Sequence, residues 1–249
     1  MSWSGRARWR CLLGAAVLAT GVVVTAAQTD AAATSVPVRV SIVGIPADAP
    51  SGRWDPELGR WIFSPHGGRV LVEWEAWRAE ADRLEWDPDE ETVQLAGGVR
   101  MTGPELRASA GQARIWYAQR RLVLTGAARL EQLPEQAAAD AVPLRVVTAP
   151  TIQIDDAAGL LTAEAGVELT QSEPSLWAVA ETLRYDRQAG RIVMASPEST
   201  VQARLDDLRL ARASRVEYRL DSDELALYGP AEIVQVQEAA PAPTETGTP

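Results

Sequence analysis

Few residues in this 249-residue chain are of types that do covalent chemistry, and their spacing does not gather them. The one histidine, His66, stands in SPHGG, a turn by composition, where a solvated loop residue is the ordinary reading. The one cysteine, Cys11, opens an apolar run near the start, so no Cys/His set ligates a metal and the rest of the chain forms no disulfide. The acidic pairs Asp87/Asp89, Asp155/Asp156 and Asp206/Asp207 fall in turn-like stretches, where solvation accounts for them better than acid–base work at a sugar bond. Neither a glycine-rich phosphate loop nor a Gly-x-Ser-x-Gly elbow occurs. These residues point to no enzyme, no metal and no cofactor; binding is the chemistry left.

What could bind is set by the elements, and those repeat. In RAEADRLEWDPDEETVQLAGGVRM, residues 78–101, Leu84 and Trp86 alternate with Arg83 and Glu85 before an acidic turn, and Val93 and Leu95 alternate with Gln94 after it. This is a β-hairpin whose returning strand bends at Gly97 and continues through Val99 and Met101. With Trp86 as anchor the frame recurs at Ile115, Ile154, Tyr185 and Tyr218, spaced by 29, 39, 31 and 33 residues. Five residues before each anchor stands an alanine: Ala81, Ala110, Ala149, Ala180 and Ala213. Eleven after it comes a small residue: Gly97, Gly126, Ala165, Ser196 and Gly229. A looser copy centres on Trp54, and Glu131 to Leu144 is an insertion, a loop or one short helix, that widens the second spacing.

One face of each strand is dry and the other wet. The dry stripe is Leu84, Trp86, Leu95, Leu124, Ile152, Ile154, Leu183, Tyr185, Met194, Val216, Tyr218 and Leu227. It predicts either the lining of a trough or an ordinary closed core, since both show this alternation. The small residues Ala81, Gly97, Ala110, Gly126, Ala149, Ala180, Ala213 and Gly229 are the expected corners, where a strand crosses from one sheet to the other and a large side chain has no room. The expected fold is all-β: about five to six hairpin repeats forming an incomplete two-sheet roll, with open edges at its ends. An exposed first or last strand can take up a partner strand. Trp74, Trp77, Trp116 and Trp177 leave open a structural or carbohydrate-binding module, because sugars stack on exposed indoles.

Composition narrows the partners. Arg6, Arg8 and Arg10 precede the apolar run Cys11 to Ala27, followed by small-residue sites, so residues 1–33 read as an export signal, with an uncleaved membrane anchor as the alternative. The body is residues 34–238, and the proline-rich tail, residues 239–249, is expected to be disordered. Without residues 1–33 the chain has 21 basic and 33 acidic residues, which argues against nucleic acid.

On RAEADRLEW...VQLAGGVRM, ASAGQARIW...LVLTGAARL, AVAETLRYD...RIVMASPES and ARASRVEYR...LALYGPAEI, the chain resembles the OstA-like periplasmic family of lipopolysaccharide transport, the LptA and LptC type. The resemblance spans roughly Trp77 to Val236. It implies an incomplete β-jellyroll whose interior takes lipopolysaccharide acyl chains. Neighbours joined edge to edge would form a bridge to the outer membrane, fed by an inner-membrane transporter complex. The fourth copy departs from the pattern, with Ser196 and Glu198 where Gly-x-Val is expected. Burying one methylene is worth about 0.8 kcal/mol and one basic residue near anionic lipid about 1 kcal/mol, so an acidic carrier can hold such a lipid by its tails.

Overall fold

The computed structural model describes residues 23–25, 38–44, 52–65, 67–135, 141–205 and 209–235. Most of the expected export segment, His66, the middle of the insertion and the tail lie outside them. Among the described residues there are strands, turns and bends, and no helix.

In chain order the strands are β1 (Val23–Thr25), β2 (Val38–Val43), β3 (Arg53–Asp55), β4 (Arg60–Phe63), β5 (Arg69–Trp74), β6 (Trp77–Ala81) and β7 (Arg83–Asp87). Six long strands follow: β8 (Thr92–Thr102), β9 (Leu106–Trp116), β10 (Arg121–Gln132), β11 (Arg145–Asp155), β12 (Leu160–Gln171) and β13 (Leu176–Asp186). The last six are β14 (Arg191–Ala195), β15 (Val201–Leu205), β16 (Arg209–Ala213), β17 (Arg215–Arg219), β18 (Glu224–Tyr228) and β19 (Glu232–Gln235). β1 lies within the apolar run of the expected export segment and pairs with β2.

Aspartates close the hairpins. Asp87 Oδ1 accepts the backbone N–H of Asp89 and Glu90, Asp155 Oδ1 that of Ala158, and Asp186 Oδ1 that of Ala189. A short carboxylate that caps its own turn is what aspartate does best in loops. This gives two of the acidic pairs a local structural task.

Every strand pairing among the described residues is antiparallel, and the ladders sort into two layers. Layer one runs β3, β4, β7, one half of each strand from β8 to β13, then β14, β17 and β18. Layer two runs β1, β2, β5, β6, the other halves of β8 to β13, then β15, β16 and β19. Each long strand therefore begins in one layer and ends in the other. The ladders break register at the crossings, between Ala96 and Val99, Thr125 and Ala128, and Glu164 and Val167. Pro150 sits unpaired in such a break, where its missing N–H interrupts no ladder bond. The result is an incomplete β-jellyroll, folded along its corners and, among the described residues, closed neither into a barrel nor at its ends. There β3, β18, β1 and β19 each pair on one side only.

The inner faces of the two layers make one core. Layer one supplies bulk, with Leu84, Leu95, Leu124, Ile152 and Ile192; layer two supplies many alanines, among them Ala79, Ala108, Ala178 and Ala203. Layer two also carries Met101, Leu130 and Leu169, so large and small side chains are mixed on its inner face and let the layers approach closely.

Candidate functional site

The crossings come first, because they place everything inside. Ala81, Ala110, Ala149, Ala180 and Ala213 are all buried, each last in its layer-two segment before the chain crosses. Gly97, Gly126 and Gly229 adopt φ of 82°, 79° and 82°. At Gly97 a β-carbon would stand 2.8 Å from Asp82 Cβ on the neighbouring crossing. At Gly126 it would stand 3.4 Å from Gly111 Cα. Arg69 clamps the first crossing, donating from Nη2 to Gly98 O at 2.6 Å and lying 3.6 Å from Asp82.

Of the dry stripe, ten residues are buried: Leu84, Trp86, Leu95, Leu124, Ile152, Ile154, Leu183, Met194, Val216 and Tyr218. Tyr185 and Leu227 are half-buried against the same core. All twelve sit on the inner side of layer one. Between Ile154, Leu161, Leu183 and Tyr185 of layer one and Leu130, Val147 and Leu169 of layer two lies a cleft of about 40 Å3. Its remaining wall includes Gln132, Arg145, Asp155 and Arg187, which stand at strand ends and turns. The cleft therefore opens along the side opposite the corners. A second, about 20 Å3, adjoins it under Trp74 and Trp77, over Ile115, Leu122 and Ile154. Room of this size holds a few waters at most, against roughly 300–1,000 Å3 for a ligand pocket. In this conformation the layers are in contact and the interior is filled.

Polar groups tie the mouth at both ends. Glu75, in the β5–β6 turn of layer two, reaches Arg120 in the β9–β10 turn of layer one at 3.8 Å. Arg120 also holds Asp156 at 2.6 Å, and Asp156 holds Arg187 at 3.2 Å, so a chain of charges follows the rim. At the other end Gln171 of layer two donates from Nε2 to the Tyr218 hydroxyl of layer one at 3.1 Å. Tyr218 in turn donates to Asp223 Oδ1 at 2.7 Å, and Arg145 Nε donates to Gln171 Oε1 at 2.6 Å. Gln171 and Tyr218 are both buried. Burial, then the bond to Asp223, pushes the Tyr218 hydroxyl up to about 12. Burial likewise raises Tyr117, whose hydroxyl accepts the Trp86 indole N–H at 3.4 Å.

Sequence reasoning passed over these ties. Gln171 had a signal: it stands two residues after Leu169, which stands two after Val167, so it is a polar residue in an inward row. Glu75, Arg120, Asp156 and Arg187 had none, because a charged turn in a β-protein looks the same whether or not it meets another. The tryptophans are differently disposed. Trp74 is buried and stacks on Trp77 with centroids 6.0 Å apart. Arg114 and Arg121 lie over Trp116 at 4.8 and 5.5 Å. Trp177 donates to Glu168 at 2.8 Å. For Trp74 and Trp116 the faces a sugar would need are already in use.

The class these features define is an antiparallel β-jellyroll, open-ended among the described residues, with a largely apolar interior and a polar seam along one side. No family model and no curated protein matches the chain. Among solved structures it is similar to that of LptH, the LptA homologous periplasmic component of the lipopolysaccharide transport device of Pseudomonas aeruginosa. Identity is 13%, the TM-score is 0.29, and the match covers 65% of this chain and 94% of that one. At that distance the likeness carries no functional argument, and the function of this chain has to be argued from its own residues.

Proposed function

We propose that this chain is a periplasmic, non-covalent carrier of lipopolysaccharide that holds acyl chains between its two layers and passes the lipid on toward the outer membrane. One observation carries the reading. The inner faces are apolar except for Ser196 at one crossing and Gln171 at the mouth, and the polar closure of that interior among the described residues is a seam of side chains at the mouth. Among the described residues, hydrogen-bonded backbone joins the layers at the corners and only side chains join them at the mouth, so the mouth is where they part. An acyl chain entering there replaces layer-to-layer contact with layer-to-lipid contact, and each methylene buried contributes about 0.8 kcal/mol. The phosphates stay outside, beside Arg120, Arg145 and Arg187. The unpaired edges at both ends take neighbouring bridge proteins by strand addition, through which the inner-membrane transporter complex and the outer membrane are reached. An uncleaved segment over residues 1–33 would make the chain the membrane-anchored member of the same pathway.

The test is a photo-reactive side chain at Ile154, which borders both clefts, with Gln153 on the outer face as control. In membranes containing lipopolysaccharide, a lipid adduct at Ile154 and none at Gln153 is expected. Adducts at neither position, with the protein folded, refute the carrier reading.

A further inference from the structure

The two ends of the roll are not equivalent. On layer one the N-terminal edge, β3, is three residues long. Its Asp55 is already used in capping the next turn, through the N–H groups of Glu57 and Leu58. Its central Trp54 packs edge-on against Trp61, 5.6 Å away. The C-terminal edge, β18, offers five residues, Glu224–Tyr228, with a neighbour on one side only among the described residues. Within the described strand there is no proline, lysine or bulge to discourage pairing.

The order of residues along β18 is self-complementary. Leu225 and Leu227 lie opposite buried Tyr218 and Val216 and pack on the core, while Glu224, Ala226 and Tyr228 lie on the outer face opposite Arg219, Glu217 and Arg215. Place a second β18 antiparallel to the first about a two-fold axis that is normal to the layer and runs beside Ala226, midway between the two strands. Ala226 then meets its own copy, Leu225 meets the copy's Leu227, and Glu224 meets the copy's Tyr228. The Arg215 guanidinium stands 4.9 Å from the Tyr228 ring, so each incoming Glu224 arrives beside a cation. The outer row then reads Arg215, Tyr228, Glu224, Arg219 across the joint, with like charges nowhere opposite. The inner rows of leucines become continuous, and an apolar edge half open to water is covered on both copies at once. Addition of β18 to β3 has at most three residues to pair. In the register that puts Leu225 against Trp54, it sets Glu224 against Asp55.

The geometry points to a closed, two-fold dimer of this chain through β18, with the interiors of the two copies joined at their C-terminal ends and the two N-terminal ends facing outward. This rests on the edge-pairing part of the carrier reading and specifies it. An isologous contact closes at two copies, whereas a head-to-tail contact propagates.

The experiment uses the full chain with Cys11→Ser and Ala226→Cys, in a non-ionic detergent. Antiparallel neighbours bring directly opposed α-carbons to about 4.5–5.5 Å, within disulfide range. Mild oxidation should give a single dimer band. Head-to-tail pairing cannot join residue 226 to itself and would give none. A parallel sedimentation series should show a monomer–dimer equilibrium with no larger species. Ala226→Lys, which sets two cations beside the axis, should weaken that dimer at least tenfold with unchanged circular dichroism. A monomer at every concentration, as when residues 236–249 of the same chain occupy the edge, overturns the proposal, and so does an open ladder of oligomers. Lipid adduct formation at Ile154, read on the same preparations, is a separate outcome: its loss refutes the carrier reading and leaves the dimer untouched.

Discussion

Tyr218 shows how much one side chain does at the seam. It is the residue through which layer two, by way of Gln171, is hydrogen-bonded to layer one, and its hydroxyl is shielded enough to hold its proton up to about pH 12. In the unfolded chain the same group ionises near 10. Above that pH the unfolded state binds fewer protons than the folded one, so stability falls as pH rises from 10 toward 12, and below 10 this group contributes no pH dependence. Denaturant melts at pH 8, 10 and 11 should show the loss. Tyr218→Phe should lower stability at pH 8 by about 1–3 kcal/mol, because Gln171 and Asp223 lose a partner. It should also flatten the alkaline slope to what Tyr117 leaves. An unchanged slope in the variant would mean that Tyr218 is not the group responsible.

Among elements, the corner decides the fold. A strand of eleven or twelve residues would run straight through one sheet unless something bent it. At Gly126 the φ of +79° lies in the left-handed region that favours glycine, and a β-carbon there would touch Gly111 Cα at 3.4 Å, an ordinary contact, so the cost of a side chain lies in the backbone. Gly126→Val sets a β-branched residue in that conformation, where the backbone strain alone is about 1–3 kcal/mol. A fall in thermal midpoint with retained β signal is the expected result. An unchanged midpoint would show that the crossing can be made elsewhere in the strand. The crossing at Ala165 and Gly166, φ +69° and +94°, carries the same bend with an alanine at one of its two positions, as Ala127 at φ +54° does beside Gly126, so the bend tolerates a small side chain.

The whole molecule behaves as a book bound along the corners, with a mouth held by Glu75–Arg120 at one end and Gln171–Tyr218 at the other. If the mouth must open to admit an acyl chain, fixing it shut should abolish loading without harming the fold. With Cys11→Ser, Glu75→Cys and Arg120→Cys joined by a short bismaleimide, the Ile154 lipid adduct should fall at least tenfold, and the unlinked double variant should retain it. Adduct formation undiminished by the link would place entry at an open end instead.

The repeat frame by itself determined the all-β class, the hairpin boundaries, the inward rows and the small residues of the crossings. Alternation and steric room are local properties, written into every second or fifth residue of the chain. Only the tertiary structure decided that the insertion from Glu131 leaves no gap in either ladder, that the interior is filled in this conformation, and that Gln171 finds Tyr218. The difference in the two ends also came from the fold, since nothing in the chain shows that β3 stops at three residues while β18 runs to five. These depend on which strands become neighbours across tens of residues, and a charge, amide or hydroxyl acquires its partner only once the two layers have closed on each other.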